Sequence, residues 1–368
     1  MHIFNRRRLT VWLYPLSLLF RLAVALRNFL YDRNLLHSVK VNVPIISVGN
    51  LAVGGTGKTP AVEYLARLLL KNNLRPAIVT RGYRRKARGT VVVADGQQIC
   101  ATVEASGDEA MQLARQLKQV VIIADERKAR GALYAGEHFE IDVIIIDDGF
   151  QHRRLRRDFD IVLIDALSFS TNRWMLPAGP FRESGSALRR AEAIILTHAD
   201  KTQLNELSAL EAFCHKFSSS TLLLEGMLQP QFFENIATGE RLPLSAFQRK
   251  RVFAVGGIAQ PARFFEALQQ LGATVAGKMA YPDHHGFTAE EMTGLFAHAQ
   301  TAEAEALVLT EKDATKWAEQ MSRPPLPVLF LRVEFCSVTD TTSFDRQLLE
   351  RFRRKLGHHA VNLGFNEL

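Results

Sequence analysis

From residue 41 onward, short aliphatic runs alternate with longer stretches in which apolar residues recur at helical spacing. This alternation is typical of βαβ units and predicts an α/β fold with a mostly parallel sheet flanked by helices. The first series of predicted strands covers residues 44–48, 76–80, 89–93, 120–124, 143–146, 161–164 and 193–196. The second series predicts strand 252–255, helix 261–271, strand 274–276, helix 288–299, strand 306–310, helix 314–320 and strand 328–331.

The two series are separated by residues 226–250, where the pattern weakens into polar sequence that contains proline. A chain of 368 residues is long enough for two domains, each with its own core. We therefore expect five parts: an N-terminal segment 1–35, a domain 36–225, a linker 226–250, a smaller α/β domain 251–345 and a C-terminal tail 346–368.

The N-terminal segment combines an apolar run at residues 11–20 with basic and aromatic residues on both sides. The run before Arg21 is about ten residues, roughly half of what a membrane-spanning helix requires. Arginines beside tryptophan, tyrosine and phenylalanine are typical of an amphipathic helix that lies in the membrane interface. A basic first helix that packs on the core is the alternative, and the sequence leaves it open.

A glycine-rich turn follows the first predicted strand and opens a helical pattern. In this context backbone N–H groups can wrap phosphate oxygens at a helix N-terminus, as in a P-loop. The strict consensus begins with glycine, and alanine takes that position here. The predicted nucleotide-binding residues are Ala52, Val53, Gly54, Gly55, Thr56, Gly57, Lys58 and Thr59. In such loops the lysine contacts the β- and γ-phosphates, and the threonine hydroxyl binds Mg²⁺.

Two aspartates, Asp147 and Asp148, directly follow the aliphatic run of the strand at 143–146. Carboxylates at the carboxyl end of a buried parallel strand lie at the sheet edge where nucleotides bind. The sequence therefore predicts that they hold a magnesium ion with the nucleotide. A simple helix cap is the alternative interpretation.

The formal net charge of +8 favours an anionic partner, and a nucleic acid, an anionic membrane surface or a phosphorylated substrate all qualify. The basic residues lack the interleaved aromatic platform of single-strand nucleic-acid binders, so we expect no nucleic-acid partner. The three cysteines are far apart and share no metal-ligand spacing with histidine, which favours a reducing compartment.

Six motifs occur in order along the chain: GNLAVGGTGKTP, TRGY, SGDE, DDGFQH, LPAGPFRE and TEKDA. Together they resemble the tetraacyldisaccharide 4′-kinases of lipid A biosynthesis, over about residues 40–315. The resemblance implies transfer of the γ-phosphate of ATP, with Mg²⁺, to the 4′-hydroxyl of a tetraacyldisaccharide 1-phosphate, giving lipid IVA. It also implies a peripheral location on the anionic cytoplasmic face of the bacterial inner membrane, and we expect a monomer.

The same resemblance assigns roles to single residues. Asp108 is implied as the catalytic base, helped by His284, with His285 as the alternative helper. Lys58 and Arg182 are implied to stabilise phosphate charge, and Glu183 to join the metal ligands. The implied substrate-binding residues are Asn50, Arg81, Tyr83, Glu109, Arg127, Gln151 and His152. The TEKDA motif receives a structural or nucleotide-proximal role, without a choice between them.

The main alternative is a P-loop GTPase or metallochaperone. The run from Ile194 to Asp200 follows a predicted strand where a guanine-reading NKxD motif would lie, so Asp200 is a candidate to bind guanine. Thr197 and His198 stand where that motif has asparagine and lysine, which argues against strong guanine selection.

Overall fold

The computed structural model describes residues 3–169, 173–317 and 324–356. Its helices are α1 (Ile3–Asp32), α2 (Lys58–Lys71), α3 (Val103–Ser106), α4 (Asp108–Gln116), α5 (Lys128–His138), α6 (Leu204–Phe217), α7 (Pro261–Gln270), α8 (Ala289–Thr301), α9 (Glu311–Trp317) and α10 (Thr341–Leu356). Its strands are β1 (Ile45–Asn50), β2 (Pro76–Thr80), β3 (Val91–Asp95), β4 (Val121–Ala124), β5 (Val143–Asp147), β6 (Phe159–Asp165), β7 (Ala193–Thr197), β8 (Leu222–Asn235), β9 (Arg241–Pro243), β10 (Arg251–Gly256), β11 (Thr274–Ala280), β12 (Ala306–Thr310) and β13 (Val328–Ser337).

The strands form one sheet in the order β11-β10-β12-β13-β8-β7-β6-β1-β5-β2-β4-β3, with β9 paired to β8. Pairing is parallel from β8 through β7, β6, β1, β5 and β2 to β4, and again from β11 to β13. Antiparallel pairing joins β3 to β4, β13 to β8 and β8 to β9. The predicted α/β fold with a mostly parallel sheet is confirmed.

The central strand β5 shows why these segments read as continuous aliphatic runs. Val143 and Ile145 pack into the core on the side of α2 and α4, while Ile144 and Ile146 pack into the core on the side of α5. A strand covered on both faces has no polar side to alternate with, so its sequence lacks the period of two. Its carboxyl end is then the first place where charged residues occur.

Residues 226–250, which the sequence suggests as a linker, contain regular secondary structure. Most of this segment belongs to the long strand β8, which pairs with β7 at its start and with β13 over the remainder, and to β9. Pro230 lies where the register of β8 against β13 shifts. A proline without an N–H is tolerated at such a bulge, and this is why its presence did not end the strand.

The second series of predicted elements is present, and β13 is longer than expected. Helix α9 begins earlier than predicted, at Glu311, and residues 318–320 of the predicted helix lie outside the described residues. The expected tail starts inside α10, whose Phe344, Leu348 and Phe352 are buried in the same core as α2. Residues 357–368 of that tail lie outside the described part of the chain.

Helix α1 lies along the outside of the first half of the chain. Phe20 and Val24 pack against the core beneath it, and Ser17 Oγ donates a hydrogen bond to the Met175 carbonyl at 2.7 Å. Leu19 and Leu22 on the opposite side are 64% and 67% exposed. By length and composition, with a mean hydropathy of 1.3, Trp12–Asp32 is apolar enough to cross a membrane. The helix therefore has one packed face and one exposed apolar face.

Candidate active site at the phosphate loop

The predicted phosphate loop joins β1 to α2 at the carboxyl edge of the sheet. Gly57 precedes the helix with φ of 75°, a left-handed conformation that glycine adopts without strain, and Lys58 is the first helical residue. Thr56 is buried, and its hydroxyl accepts a hydrogen bond from Asn50 Nδ2 at 3.1 Å, while its carbonyl accepts one from Thr197 Oγ1 at 3.2 Å. The side chains of Asn50 and Thr197 thus hold the loop in place through Thr56. The N-terminus of α2 is then available to bind an anion.

The two aspartates that follow β5 have different environments. Asp147 is buried and accepts a hydrogen bond from Thr80 Oγ1 at 2.9 Å. Burial, together with the charge of Glu109, raises the pKa of Asp147 to about 6. The carboxylate of Asp148 lies 3.7 Å from Lys58 Nζ and 2.9 Å from Arg182 Nη1. Although burial opposes ionisation, these cations and a further lysine hold the pKa of Asp148 below its ordinary value, so it is a carboxylate at neutral pH.

That further lysine is Lys128, which sequence reasoning missed. Its side chain is buried at the start of α5, and Nζ donates to the backbone carbonyls of Asp147 and Asp148. Burial lowers its pKa to about 8, with the nearby charges of Lys58 and Arg81 adding to the effect. The available signal was its position just after β4, at the same sheet edge as the phosphate loop.

The neighbouring residue Arg127, predicted to bind substrate, is exposed, and its backbone N–H donates to Asp125 at 2.7 Å. The structure brings Lys128 and not Arg127 to the aspartates. The reason is geometric: Lys128 is the first residue of α5, with its side chain turned inward to the end of β5, while Arg127 occupies the preceding N-cap position.

A second cluster contains Asp108 and His284. Asp108 is the first residue of α4 and is 5% exposed, and its carboxylate lies 3.0 Å from His284 Nδ1. Burial raises the pKa of Asp108, but the hydrogen bond from His284 and the charges of Lys312 and Lys316 outweigh it and lower the pKa to about 2. His285 turns away and lies 3.0 Å from Glu291. Of the two candidate histidines, the structure places His284 at Asp108.

The TRGY and SGDE motifs pack backbone against backbone beside this pair. Gly107 has φ of 89°, and a Cβ built there would lie 2.9 Å from the Tyr83 carbonyl oxygen. The ring of Tyr83 lies 4.3 Å from the imidazole of His284. Arg84 Nη1 donates to the His284 carbonyl at 2.7 Å. The TRGY segment, together with Arg84 just after it, therefore packs against His284 and helps to hold that residue at Asp108.

The TEKDA motif supplies Lys312 to the same cluster, and Lys316 follows from the same helix, α9. Lys312 Nζ lies 3.0 Å from His284 Nε2, 3.0 Å from Asp283 Oδ1 and 3.1 Å from Glu109 Oε1. Lys316 Nζ lies 3.4 Å from Asp108 Oδ2. The sequence left open a structural or a nucleotide-proximal role for this motif, and the structure places its lysine at the Asp108–His284 pair.

Three other predicted residues surround the phosphate loop. Gln151 Nε2 donates to the Asn50 carbonyl at 2.7 Å. Asn50 Oδ1 and Gln151 Oε1 are buried without a hydrogen-bond partner among the described residues, which is unusual for buried acceptors and suits a ligand donor or a hydrated cation. Burial lowers the pKa of His152 to about 4, with Lys128 and Arg81 contributing. His152 is therefore neutral at physiological pH.

The prediction that Glu183 binds the metal is not supported by its surroundings. Its side chain is fully buried, and its oxygens accept hydrogen bonds from Arg27 at 3.2 Å, Asn28 at 3.1 Å and Arg190 at 2.9 Å. With both oxygens bound to these donors, the carboxylate fastens α1 to the loop after β6. Its neighbour Arg182 is the residue that reaches Asp148.

The position of a guanine-reading motif is occupied differently. Thr197 holds the phosphate loop, and His198 Nδ1 lies 3.1 Å from Asp165. Asp200 is exposed in a 3₁₀ turn after β7. Thr197 and His198 thus make structural contacts within the protein, which leaves the GTPase interpretation without support from this segment.

Comparisons with known proteins agree with the motifs. The family model described as LpxK, tetraacyldisaccharide-1-P 4′-kinase, matches residues 9–353. A tetraacyldisaccharide 4′-kinase from Anaeromyxobacter dehalogenans strain 2CP-C is 41% identical over 297 residues, covering 81% of this chain and 78% of its own. One from Syntrophus aciditrophicus strain SB is 37% identical over 356 residues, covering 95% of both.

Among solved structures, LpxK from Aquifex aeolicus in complex with ATP superposes with a TM-score of 0.72 at 32% identity. The match covers 94% of this chain and 99% of that one. The sequence and structural matches thus extend through both halves of the sheet, including every motif described above. The chain belongs to the LpxK family of tetraacyldisaccharide-1-phosphate 4′-kinases.

Proposed function

We propose that this chain transfers the γ-phosphate of ATP to the 4′-hydroxyl of a tetraacyldisaccharide 1-phosphate, with Asp108 accepting the hydroxyl proton. The observation that carries the assignment of residues is the buried Asp108–His284 pair beside a phosphate loop. The charge of Glu109, next to Asp108, contributes to the raised pKa of Asp147, so the two clusters share one electrostatic environment. The GTPase alternative is not favoured by the family.

The nucleotide is assigned to the loop at 52–59. The relative from Aquifex aeolicus was solved in complex with ATP, which supports the same ligand here. Lys58, Lys128 and Arg182 surround Asp148 and give this edge of the sheet the positive charge that a triphosphate requires. Loose phosphoryl-transfer transition states depend mainly on such positioning and charge neutralisation.

Magnesium is proposed on the chemistry of the donors present. No group of three or more His, Cys, Asp or Glu side chains in the described ranges is arranged to hold a metal unaided. Mg²⁺ keeps several waters and takes one or two carboxylates plus phosphate oxygens, so the aspartate pair and the Thr59 hydroxyl fit it. The unpartnered Asn50 Oδ1 and Gln151 Oε1 can accept from its waters. When bound, the ion neutralises charge on the phosphates.

Asp108 suits the role of a base that acts late in the reaction. Its low pKa means that it is ionised before substrate arrives and holds a proton weakly. A sugar hydroxyl becomes acidic only as its oxygen bonds to phosphorus, and at that moment a nearby carboxylate can take the proton. The hydrogen bond from His284 keeps Asp108 in one orientation for that transfer.

The acceptor's own anionic group is assigned to the basic side chains around the TRGY motif. Arg81 is exposed at the end of β2, and Tyr83 is 46% exposed beside His284. Glu109 and the neutral imidazole of His152 complete the polar surface offered to the sugar. Guanidinium groups bind phosphate with paired hydrogen bonds, which fits the 1-phosphate of the substrate.

We assign α1 to the cytoplasmic surface of the bacterial inner membrane. Its exposed leucines and its tryptophan provide apolar area, and the chain's net charge of +8 favours anionic lipid. The packed face of the helix stays on the protein, which fits a helix lying in the interface. We also expect a monomer, which light scattering in detergent will test.

The reaction is tested with radiolabelled ATP, Mg²⁺ and tetraacyldisaccharide 1-phosphate. We expect Asp108→Asn to lower kcat by about 10²–10⁴-fold with little change in the KM for ATP, because only the proton acceptor is lost. Asp200→Asn, at an exposed aspartate outside the site, is the control. Activity of D108N within a few-fold of wild type would remove the base assignment, and no labelled lipid from wild type would overturn the function.

Membrane binding is tested by flotation with anionic vesicles. Leu19→Glu with Leu22→Glu changes only exposed positions of α1 and should abolish flotation while the packed face stays in place. Leu204→Glu, at an 82% exposed leucine on α6, controls for the loss of exposed apolar area. Unchanged flotation of the double variant is incompatible with α1 as the membrane contact.

A further inference from the structure

Lys312 makes a set of contacts that determines where the protons of its neighbours lie. The ammonium group has three N–H donors, and three acceptors surround it: Glu109 Oε1 at 3.1 Å, Asp283 Oδ1 at 3.0 Å and His284 Nε2 at 3.0 Å. Its side chain is 14% exposed. Although burial opposes it, the charges of Glu109, Asp108 and Asp283 raise the pKa of Lys312, so the group carries all its protons.

An ammonium nitrogen can donate hydrogen bonds but cannot accept one. At 3.0 Å from Lys312, the Nε2 atom of His284 must therefore present its lone pair. In a neutral imidazole the remaining proton then sits on Nδ1, which lies 3.0 Å from Asp108 Oδ2 and donates to it. The lysine on one side of the ring and the carboxylate on the other select the same tautomer.

We propose that Lys312 is a positioning residue that fixes the Nδ1–H tautomer of His284 and so orients Asp108 toward the acceptor hydroxyl. This inference rests on the proposed function of Asp108. Lys312 does not touch the reacting atoms in this arrangement. It acts through the imidazole, because a neutral imidazole donates a hydrogen bond to this carboxylate only in its Nδ1–H form.

The other groups around the imidazole hold the ring in place and are compatible with this role for Lys312. Arg84 holds the His284 carbonyl and the Tyr83 ring covers one face of the imidazole. Lys316 Nζ approaches the same Asp108 Oδ2 at 3.4 Å. Two carboxylates also lie near Nε2 of His284, at longer distances than Lys312. Glu109 Oε1 is 3.9 Å away and Asp283 Oδ2 is 3.8 Å away.

The carboxylates of Glu109 and Asp283 determine how the protonation of His284 should change when Lys312 is replaced. If the ammonium is removed, Nε2 faces two acceptors and no donor among them, so a proton on Nε2 becomes favourable. Lys312→Met should therefore place a proton on Nε2, while Lys312→Arg retains a cationic donor at this position and should keep Nε2 free of a proton. The orientation of Asp108 should follow the ring.

The test is ¹⁵N NMR of histidine-labelled protein, with His284 assigned from the His284→Asn variant. Wild type should show an unprotonated Nε2 and a protonated Nδ1, and K312M should show protonation at Nε2. In the kinase assay K312M should lower kcat roughly 10- to 100-fold, the scale of a misplaced reacting group, with little change in the KM for ATP. K312R should regain most of that loss, and Lys250→Met, at an exposed ion pair, should change neither readout.

The wild-type spectrum alone can overturn the proposal, because an Nε2–H tautomer contradicts it even if K312M fails to fold. A K312M protein that keeps the wild-type ring protonation, or that keeps the wild-type kcat, overturns it as well. The spectrum requires neither ATP nor lipid. Failure of the proposed function would appear as absent lipid phosphorylation by wild type, and the two failures are therefore distinguishable.

Discussion

Arg332 lies at the centre of a buried ion cluster that joins the two halves of the sheet. It projects from β13, is 1% exposed, and its guanidinium contacts Glu63 on α2 and both oxygens of Glu311 on α9, the latter at 2.9 Å. Gln116 also donates to Glu311 at 2.7 Å. The helix that starts at the phosphate loop is thus tied to the helix that carries Lys312.

Arg332→Met removes the positive charge that Glu63 and Glu311 share, and it leaves Glu311 without a cationic partner, while Glu63 keeps Arg67 at 2.8 Å. Removing one member of a buried ion pair typically costs about 3–5 kcal/mol, because the stranded charge is not solvated. We expect a loss of this size in the free energy of unfolding, measured by urea denaturation with circular dichroism. Arg75→Met, at an arginine that contacts Glu140 and Asp142 on the surface, should change the unfolding midpoint little.

The loss should depend on pH. Burial and the charge of Glu63 already raise the pKa of Glu311, while Arg332 lowers it, so removing the arginine raises it further. A carboxyl whose folded pKa exceeds its unfolded value destabilises the fold as pH rises through that interval. The deficit of R332M should therefore be larger at pH 7.5 than at pH 5.

A triple variant distinguishes two causes of the lost stability: an unpaired buried carboxylate and the loss of the ion-pair attraction itself. Arg332→Met with Glu63→Leu and Glu311→Leu leaves no buried charge unpaired, because the two groups that lose a partner, Arg67 and Glu334, are 49% and 42% exposed. Apolar replacements of buried ion clusters are often neutral or stabilising. It should recover most of the stability that R332M loses. A wild-type unfolding midpoint for R332M, or a triple variant as unstable as the single one, would refute this reasoning.

Three further outcomes follow from the site. Glu183→Gln should leave the Mg²⁺ dependence of the reaction unchanged but expose α1 to limited proteolysis, whereas a shifted Mg²⁺ dependence would restore Glu183 as a ligand. His152→Asn should gain on the order of 1–2 kcal/mol over wild type at pH 5 and nothing at pH 8, since a folded pKa of about 4 costs stability as pH falls below about 6.5. Gly107→Ala should lower activity and unfolding midpoint together, because its Cβ meets the Tyr83 carbonyl at a positive φ, and wild-type behaviour would contradict the close approach.

The sequence was most informative where local pattern and local chemistry coincide. The run at β5 ends in Asp147 and Asp148, and strand geometry alone places them at the edge where the phosphate loop lies. The resemblance paired His284 with Asp108, and in the structure these residues, 176 positions apart, are in contact. No periodicity predicts such a contact, and only the family's motif order brought these two residues together.

Other features depended on partners that are distant in the chain. The resemblance implied that Glu183 is a metal ligand, but its donor Arg27 lies 156 positions away in α1. Nothing in the local sequence distinguishes Lys128 from other basic residues. Its burial beside Asp147 and Asp148 follows from the strand order, which is not visible in the sequence. The sequence did not predict β8, because a half-buried strand with a proline at a bulge shows only weak alternation of apolar and polar residues.

Arg182 and Glu183 are consecutive residues with contacts on opposite sides of the loop. Arg182 reaches the carboxylate beside Lys58, and Glu183 reaches the side chains of α1. The guanidinium proposed to stabilise phosphate charge and the carboxylate that anchors α1 therefore belong to adjacent residues. With α1 on the bilayer as proposed, this connection sets the height of the reacting groups above the lipid surface, so that an acylated sugar needs to rise only as far as its headgroup extends.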